Sequence, residues 1–114
     1  MPEEEYNGWT NRETWATALH LSSDQDLYNM INGMVADAHT LAKTEKIPAY
    51  WSERDFIKFT FEDELKEHIG DRLTTGYWYD MNMKMPEVWR LMQEDVGSLW
   101  RIDWQEVAKS FLED

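Results

Sequence analysis

Apolar side chains recur at spacings of three and four residues along nearly the whole chain, and this helical period is the strongest restriction on its fold. The clearest run extends from Leu27 to Ala42. We therefore predict an all-α, bundle-like domain. Five helices are predicted. The first ends near Leu21 or Ser22, the second runs from Ser22 or Ser23 to about Lys43, and the third runs from Ser52 to about Thr74. The fourth begins at Pro86 and carries Trp100 on its apolar face, and the last begins at Asp103.

Capping residues precede three of these segments. An oxygen-bearing side chain with an acidic residue three positions later has the spacing of a capping box, in which both side chains bond free backbone N–H groups. The three pairs are Thr10 with Glu13, Ser52 with Asp55, and Asp103 with Glu106. Apolar pairs at hydrophobic-staple positions flank two of these caps: Trp51 with Phe56, and Ile102 with Val107.

Three local features complete the helical prediction. The segment near 75–85 contains Gly76 and no helical stripe, which predicts an aromatic and methionine-rich loop or short hairpin. Gly33 inside the second helix costs about 1 kcal/mol relative to alanine, which indicates close approach of a neighbouring helix. An interruption of the third helix near Thr60 is a further expectation.

The length of 114 residues suits a single domain with one core. Internal repeats, low-complexity tracts and Gly/Ser linkers are absent from the sequence. We predict one helical domain over 1–114, with residues 1–7 flexible.

The charge of the chain limits its partners. Its 23 acidic and 11 basic residues give a formal net charge of −12, which repels nucleic acids and anionic membranes. We therefore expect no direct nucleic-acid or membrane binding, and a basic protein or nucleoprotein complex as partner, although acidity that only aids solubility remains the alternative. The chain has no cysteine and no long apolar segment, as expected for a cytoplasmic protein.

Catalytic motifs are missing from the sequence. The histidines His20, His39 and His68 lie far apart and form no metal-ligand pair, and the glycines form no phosphate-binding loop. We predict no enzymatic activity, no metal and no cofactor.

Carboxylates on the third helix form a row. Four residues advance an α-helix by about 6 Å, close to the roughly 6.8 Å of two steps along a DNA strand, so such a row could occupy sites for phosphates on a DNA-binding protein. A solvated helix face, interrupted by Lys66 and Arg72, is the alternative. The predicted partner-binding carboxylates are Asp63, Glu67 and Asp71, with Glu62 beside them.

The segment after this helix is a second predicted partner-binding surface. Tyrosine, tryptophan and methionine are enriched at interface hot spots. Alternatively, these side chains fold back and close the end of the bundle. The residues are Tyr77, Trp78, Tyr79, Met81 and Met83.

The N-terminal residues GWTNRETW, 8–15, allow two interpretations. In the preferred one they are structural: Thr10 and Glu13 cap the helix, Trp15 enters the core, and Trp9 packs against the last helix near Trp104. In the other, Asn11, Arg12 and Glu13 form a polar patch for a partner. The predicted structural motif comprises Trp9, Thr10, Asn11, Glu13, Trp15, Asp103 and Trp104.

These residues resemble a W-T-N-x-E-T-W signature found near the start of many small proteins encoded by bacteriophages and other mobile elements. The C-terminal DVGSLWRIDWQEVAKSFLED also resembles the ending of that family, in which a D-W pair opens the last helix. Arg12 stands at the variable position, and His20 stands where the family often has an aromatic residue. The resemblance implies a phage or mobile-element context and no known activity.

Charge, absent catalytic motifs and the resemblance together predict an acidic inhibitor that blocks a host nucleic-acid-handling complex of defence or transcription, with DNA mimicry as its mechanism. A phage structural or assembly protein that acts through self-association, for example as a homodimer, is the first alternative. An enzyme or small-ligand binder built in the helical core is the second.

Overall fold

The structure, a computed structural model, describes residues 8–112, so the segment 1–7 that was predicted to be flexible lies outside the described residues. The described range contains six helices, a 3-10 turn (Leu99–Arg101) and short connections. The all-α prediction is confirmed. The helices are α1 (Arg12–Ser23), α2 (Gln25–Thr44), α3 (53–72), α4 (Thr75–Asp80), α5 (Glu87–Val96) and α6 (Trp104–Leu112).

Helix α3 changes its hydrogen-bonding pattern partway along. It is α-helical over Glu53–Glu64, π-helical over Leu65–Ile69 and α-helical again over Gly70–Arg72. The predicted break near Thr60 is wrong, because the backbone stays helical there.

The π-helical segment keeps one apolar row on the core side. Residues four apart drift by about 40° around an α-helix of 3.6 residues per turn, so a strict spacing of four would carry the row away from the core. The wider i→i+5 turn of a π-helix counteracts this drift. The buried row consists of Ile57, Phe61, Leu65, Ile69 and Leu73.

The N-cap of α3 was predicted correctly, whereas that of α2 was not. The Ser52 hydroxyl accepts from the Asp55 N–H at 3.0 Å, and the rings of Trp51 and Phe56 lie 6.2 Å apart, so this cap and its staple are confirmed. The predicted start of α2 at Ser22 or Ser23 is wrong, because Asp24 is its N-cap and accepts from the Leu27 N–H.

The helices form two layers around one core. Helix α1 contacts α2, α5 and α6, and α3 contacts α2 and α6. The molecule measures 43 × 41 × 23 Å, and its shortest dimension fits two helices of about 10–12 Å diameter. All helices except α4, together with Leu73 directly after α3, contribute large, fully buried apolar side chains. Those within the helices are Leu21, Ile31, Phe61, Leu65, Ile69, Met92, Val96 and Val107.

Three local predictions differ from the structure. Gly33 is exposed and a Cβ there would meet nothing within 4 Å, so no helix approaches it. The segment predicted as a loop or hairpin begins with α4, and only its second half is a loop. Trp100 is 82% exposed, because α5 ends at Val96 and Gly97 adopts a positive φ of 81°.

Candidate functional site

Asn11 is buried and joins the two ends of the described chain. Its Oδ1 accepts from the N–H of Thr14 at 2.8 Å and from the Thr14 hydroxyl at 2.7 Å, which makes it the N-cap of α1. Its Nδ2 donates to the carbonyl of Arg101 at 2.8 Å. The Asp103 N–H donates to Thr14 Oγ1 at 2.9 Å. We term these contacts, between residues 10–14 and 101–106, the terminal clamp.

Thr10 extends the terminal clamp to the start of α6. Its N–H donates to Glu106 Oε1 at 2.9 Å, and its hydroxyl donates to Asp103 Oδ2 at 3.5 Å. Asp103 Oδ1 accepts from the Glu106 N–H at 3.2 Å, so the prediction that Asp103 caps the last helix is confirmed. The carboxylate of Glu106, however, bonds to Thr10 across the clamp.

The predicted capping box at the first helix is wrong. Asn11 takes the N-cap position that was assigned to Thr10. Glu13 lies in the first turn and its Oε1 is 3.5 Å from Arg101 Nε. The polar signature residues therefore act across the molecule rather than along one helix, which supports their structural interpretation.

The signature tryptophans lie at the margin of the core. Trp15 is half-buried and packs against the core, whereas the neighbouring Ala16 is fully buried, so Trp15 lies at the edge of the core and not inside it as predicted. Trp9 is half-buried beside α6, where it lines a groove with Lys109 and Ser110. Trp104 packs on α3 at Gly70. A Cβ added to Gly70 would lie 3.8 Å from Cζ2 of Trp104.

Asp95 links both ends of α1 to the C-terminal end of α5. Arg12 donates to the Asp95 carbonyl at 2.6 Å and to its Oδ1 at 2.7 Å. His20 Nε2 lies 2.8 Å from Asp95 Oδ2. The hydrogen bonds from His20 and then Arg12 lower the pKa of Asp95 below its ordinary 3.8, against the effect of burial. Arg12 is thus engaged within the fold.

Replacing Asp95 with asparagine is expected to destabilise the protein by up to about 1 kcal/mol at pH 6, a limit set by the partial exposure of these side chains. Because the folded-state pKa is lowered, the carboxylate stabilises the fold above about pH 3.8, and this contribution is lost as the pH falls through the folded-state pKa. Urea unfolding at several pH values should show a difference between the two proteins that shrinks on acidification. A difference independent of pH would contradict this assignment.

The predicted carboxylate row faces solvent. Asp63, Glu67 and Asp71, which we term the acidic face, are all exposed, and no ion pair joins them to a basic side chain within residues 8–112. Glu62 is half-buried beside them. Arg72, which interrupts the row in sequence, lies with its Cζ 5.6 Å from the centre of the Tyr77 ring. This contact draws one of the two interrupting cations toward α4.

The second predicted surface divides into a buried and an exposed part. Trp78 is buried and its Nε1 donates to the Arg72 carbonyl at 2.8 Å. The prediction that Trp78 binds a partner is therefore wrong, because its side chain is not accessible. Tyr77 is half-buried against it, with ring centres 5.0 Å apart. These two rings close the end of the bundle. The exposed part consists of Tyr79, Met81 and Met83.

An aromatic cluster at the start of α3 was not predicted as a surface. Trp51 contacts Tyr50, Phe56 and Phe59 edge to face, with ring centres 6.4, 6.2 and 5.3 Å apart. Tyr50 is 84% exposed and Phe59 is 56% exposed. The spacing of Phe56 and Phe59, which puts both on one side of a helix, was the available sequence signal.

Residues 8–112 contain neither a metal-binding cluster nor a membrane-spanning helix. No group of three or more histidine or carboxylate side chains there could hold a metal ion. No helix in the same range has both the length and the apolar character needed to cross a membrane.

Comparison with known proteins places the chain in one family. No curated protein and no solved structure matches it. A family of unknown function, DUF7249, matches residues 2–102, a stretch that contains the signature and α1 to α5 and ends inside the terminal clamp. Since the match covers most of its length, the chain belongs to the family of unknown function DUF7249.

Proposed function

We propose that this protein is a non-catalytic inhibitor whose acidic face binds a basic, nucleic-acid-handling protein and blocks its nucleic-acid site. The observation that carries the proposal is the exposure of Asp63, Glu67 and Asp71 without ion pairs to described residues. Carboxylates in this state remain available to cations on a partner.

The rest of the molecule supports the same assignment. A net charge of −12 steers basic proteins toward the chain and repels nucleic acids. The polar signature residues are engaged in the terminal clamp, so the proposed partner surface does not include them. Tyr79, in α4, and Met81 and Met83 after it are exposed and offer adaptable apolar contacts to a partner.

DNA mimicry is the mechanism proposed for the acidic face. Its exposed carboxylates recur every four residues along α3, where they would occupy sites for phosphates on the partner. The proposal includes a phage or mobile-element origin and a host partner from defence or transcription. Both follow from the resemblance of GWTNRETW, residues 8–15, to the signature of phage and mobile-element proteins.

The test is retention of host proteins on the immobilised protein at low and moderate salt, with identification by mass spectrometry. The variant D63K/E67K/D71K should retain at least about tenfold less of the nucleic-acid-handling protein than the unaltered chain does, because three attractive contacts become repulsive. The matched control D26K/D37K/E45K makes the same charge change at exposed carboxylates on or next to α2 and should retain it.

Equal retention by both variants would refute the acidic-face mechanism. A column that retains no nucleic-acid-handling protein would refute the proposed partner class. Circular dichroism of both variants establishes that each remains folded before the comparison is made.

Assembly through self-association is the second candidate, and exposed aromatic side chains favour it. Tyr79 and Tyr50 are each more than four-fifths exposed, and Trp100 is equally open. Tyrosine and tryptophan are enriched at interface hot spots. Light scattering that shows a discrete oligomer, dissociated by Tyr79→Ser, would support this candidate over the inhibitor.

A further inference from the structure

A groove between α2, α3 and α6 gathers basic side chains on an otherwise acidic molecule. It encloses about 250 Å³ and is lined by His39, Glu53, Arg54, Ile57, Lys58, Lys109 and Leu112. Three of the chain's 11 basic residues, Arg54, Lys58 and Lys109, thus line one groove. Among the described residues of this lining, Glu53 carries the one carboxylate, so basic side chains outnumber acidic ones there.

The two lysines are not neutralised by described carboxylates. Neither the ammonium group of Lys58 nor that of Lys109 forms an ion pair or hydrogen bond with a residue of the range 8–112. The acids of the adjacent groove, Asp103 and Glu106, are bonded within the terminal clamp. The clamp therefore engages both of these carboxylates, and neither is bonded to Lys58 or Lys109.

Apolar side chains complete the groove. Ile57 lies on its α3 side and Leu112 on its α6 side, and both pack against or within the core. The volume is just below the range of about 300–1,000 Å³ that holds drug-sized ligands. The groove thus suits a small molecule with an apolar body and an anionic end.

We propose that this groove is a binding site for a small organic anion, with its carboxylate or phosphate held by Lys58 and Lys109 and its apolar part against Ile57 and Leu112. Arg54 lies one helical turn from Lys58 on the same side of α3 and lines the same groove. The site is separate from the acidic face, which lies on the second half of α3.

The experiment titrates hexanoate and hexyl phosphate into the full chain and follows the methyl NMR signals of Ile57 and Leu112. Both signals should shift, with saturation in the millimolar range or below, and the anion that saturates at lower concentration identifies the preferred headgroup. Hexanol and hexylammonium are matched probes of the same chain length, and each should bind at least about tenfold more weakly because it lacks the negative charge.

The variant K58Q/K109Q should bind both anions at least about tenfold more weakly, since it loses two charge-assisted contacts. The control K43Q/K46Q removes the same charge at exposed lysines near the end of α2 and should bind as the unaltered protein does. Methyl spectra without ligand establish that both variants keep the fold.

Three results would overturn the site. The first is no shift of either methyl signal with up to about 20 mM of either anion, well above a millimolar dissociation constant. The second is hexanol binding as tightly as hexanoate, and the third is equal weakening in both lysine variants.

Discussion

Deletion of Lys66 from α3 is expected to leave the protein folded, whereas deletion of Lys58 from the same helix should destabilise it by about 3 kcal/mol or more. Both deletions remove one lysine and shorten α3 by one residue, so composition and charge change equally. The difference between them lies in the π-helical segment Leu65–Ile69.

A π-helical turn holds about one residue more than an α-helical turn, because its hydrogen bonds run from i to i+5. Deleting Lys66 removes this extra residue, so an ordinary α-helical turn can keep Leu65 and Ile69 on the core side. Deleting Lys58 instead rotates Ile57 relative to Phe61 by about one residue, roughly 100° of an α-helix. One of these buried side chains must then leave the core.

Urea unfolding monitored by circular dichroism measures the two free energies. We expect a cooperative transition for the Lys66 deletion within about 1.5 kcal/mol of the unaltered protein, the usual limit for tolerated core changes. Equal losses for the two deletions would show that the π-helical segment does not absorb the residue.

Replacing Asn11 with alanine is expected to lower the free energy of unfolding by about 2–4 kcal/mol. The loss of an N-cap alone costs roughly 0.5–2 kcal/mol, and a buried polar group left without its partner adds about 1–3 kcal/mol. Asn11 serves both purposes, because it caps α1 and donates to the carbonyl of Arg101. Equilibrium unfolding in urea gives the difference directly.

Two further variants separate these contributions. Asn32→Ala, at an exposed asparagine of α2, should change stability by less than about 0.5 kcal/mol. Asn11→Asp keeps the acceptor for the Thr14 N–H but places a carboxylate oxygen against the Arg101 carbonyl, so its remaining loss combines the missing bond across the terminal clamp with the repulsion between these oxygens. If alanine at position 11 were as harmless as alanine at position 32, the clamp would have no role in stability.

Features that depend on neighbours in sequence were predictable from it. The apolar stripe of α2 and the cap at Ser52 follow from local spacing, and both are confirmed by the buried face and the observed bond. The helix α4 was missed because its single turn and a half has no apolar stripe to detect. The strict spacing of four from Ile57 to Leu73 did contain the signal of the π-helical segment.

Features that depend on distant residues were not predictable. Thr10 and Glu13 have the spacing of a capping box, yet Thr10 bonds to Glu106, 96 residues later in the chain. Local patterns cannot show such a partner, because several acidic residues could satisfy the same donor. For the acidic face, the helical period predicted the exposed row, whereas the burial of Trp78 depended on the Arg72 carbonyl and the packing of α4.

The terminal clamp also determines when this protein can complete its fold during synthesis. The partners of Asn11 and Thr14 follow them by 90 and 89 residues, so α1 leaves the ribosome long before they exist. Contacts of such long range form late, and until then Asn11 can cap the first helix but has no carbonyl of Arg101 to which it can donate. A ribosome that stalls before Arg101 would therefore present proteases with α1 detached from the segment that anchors it.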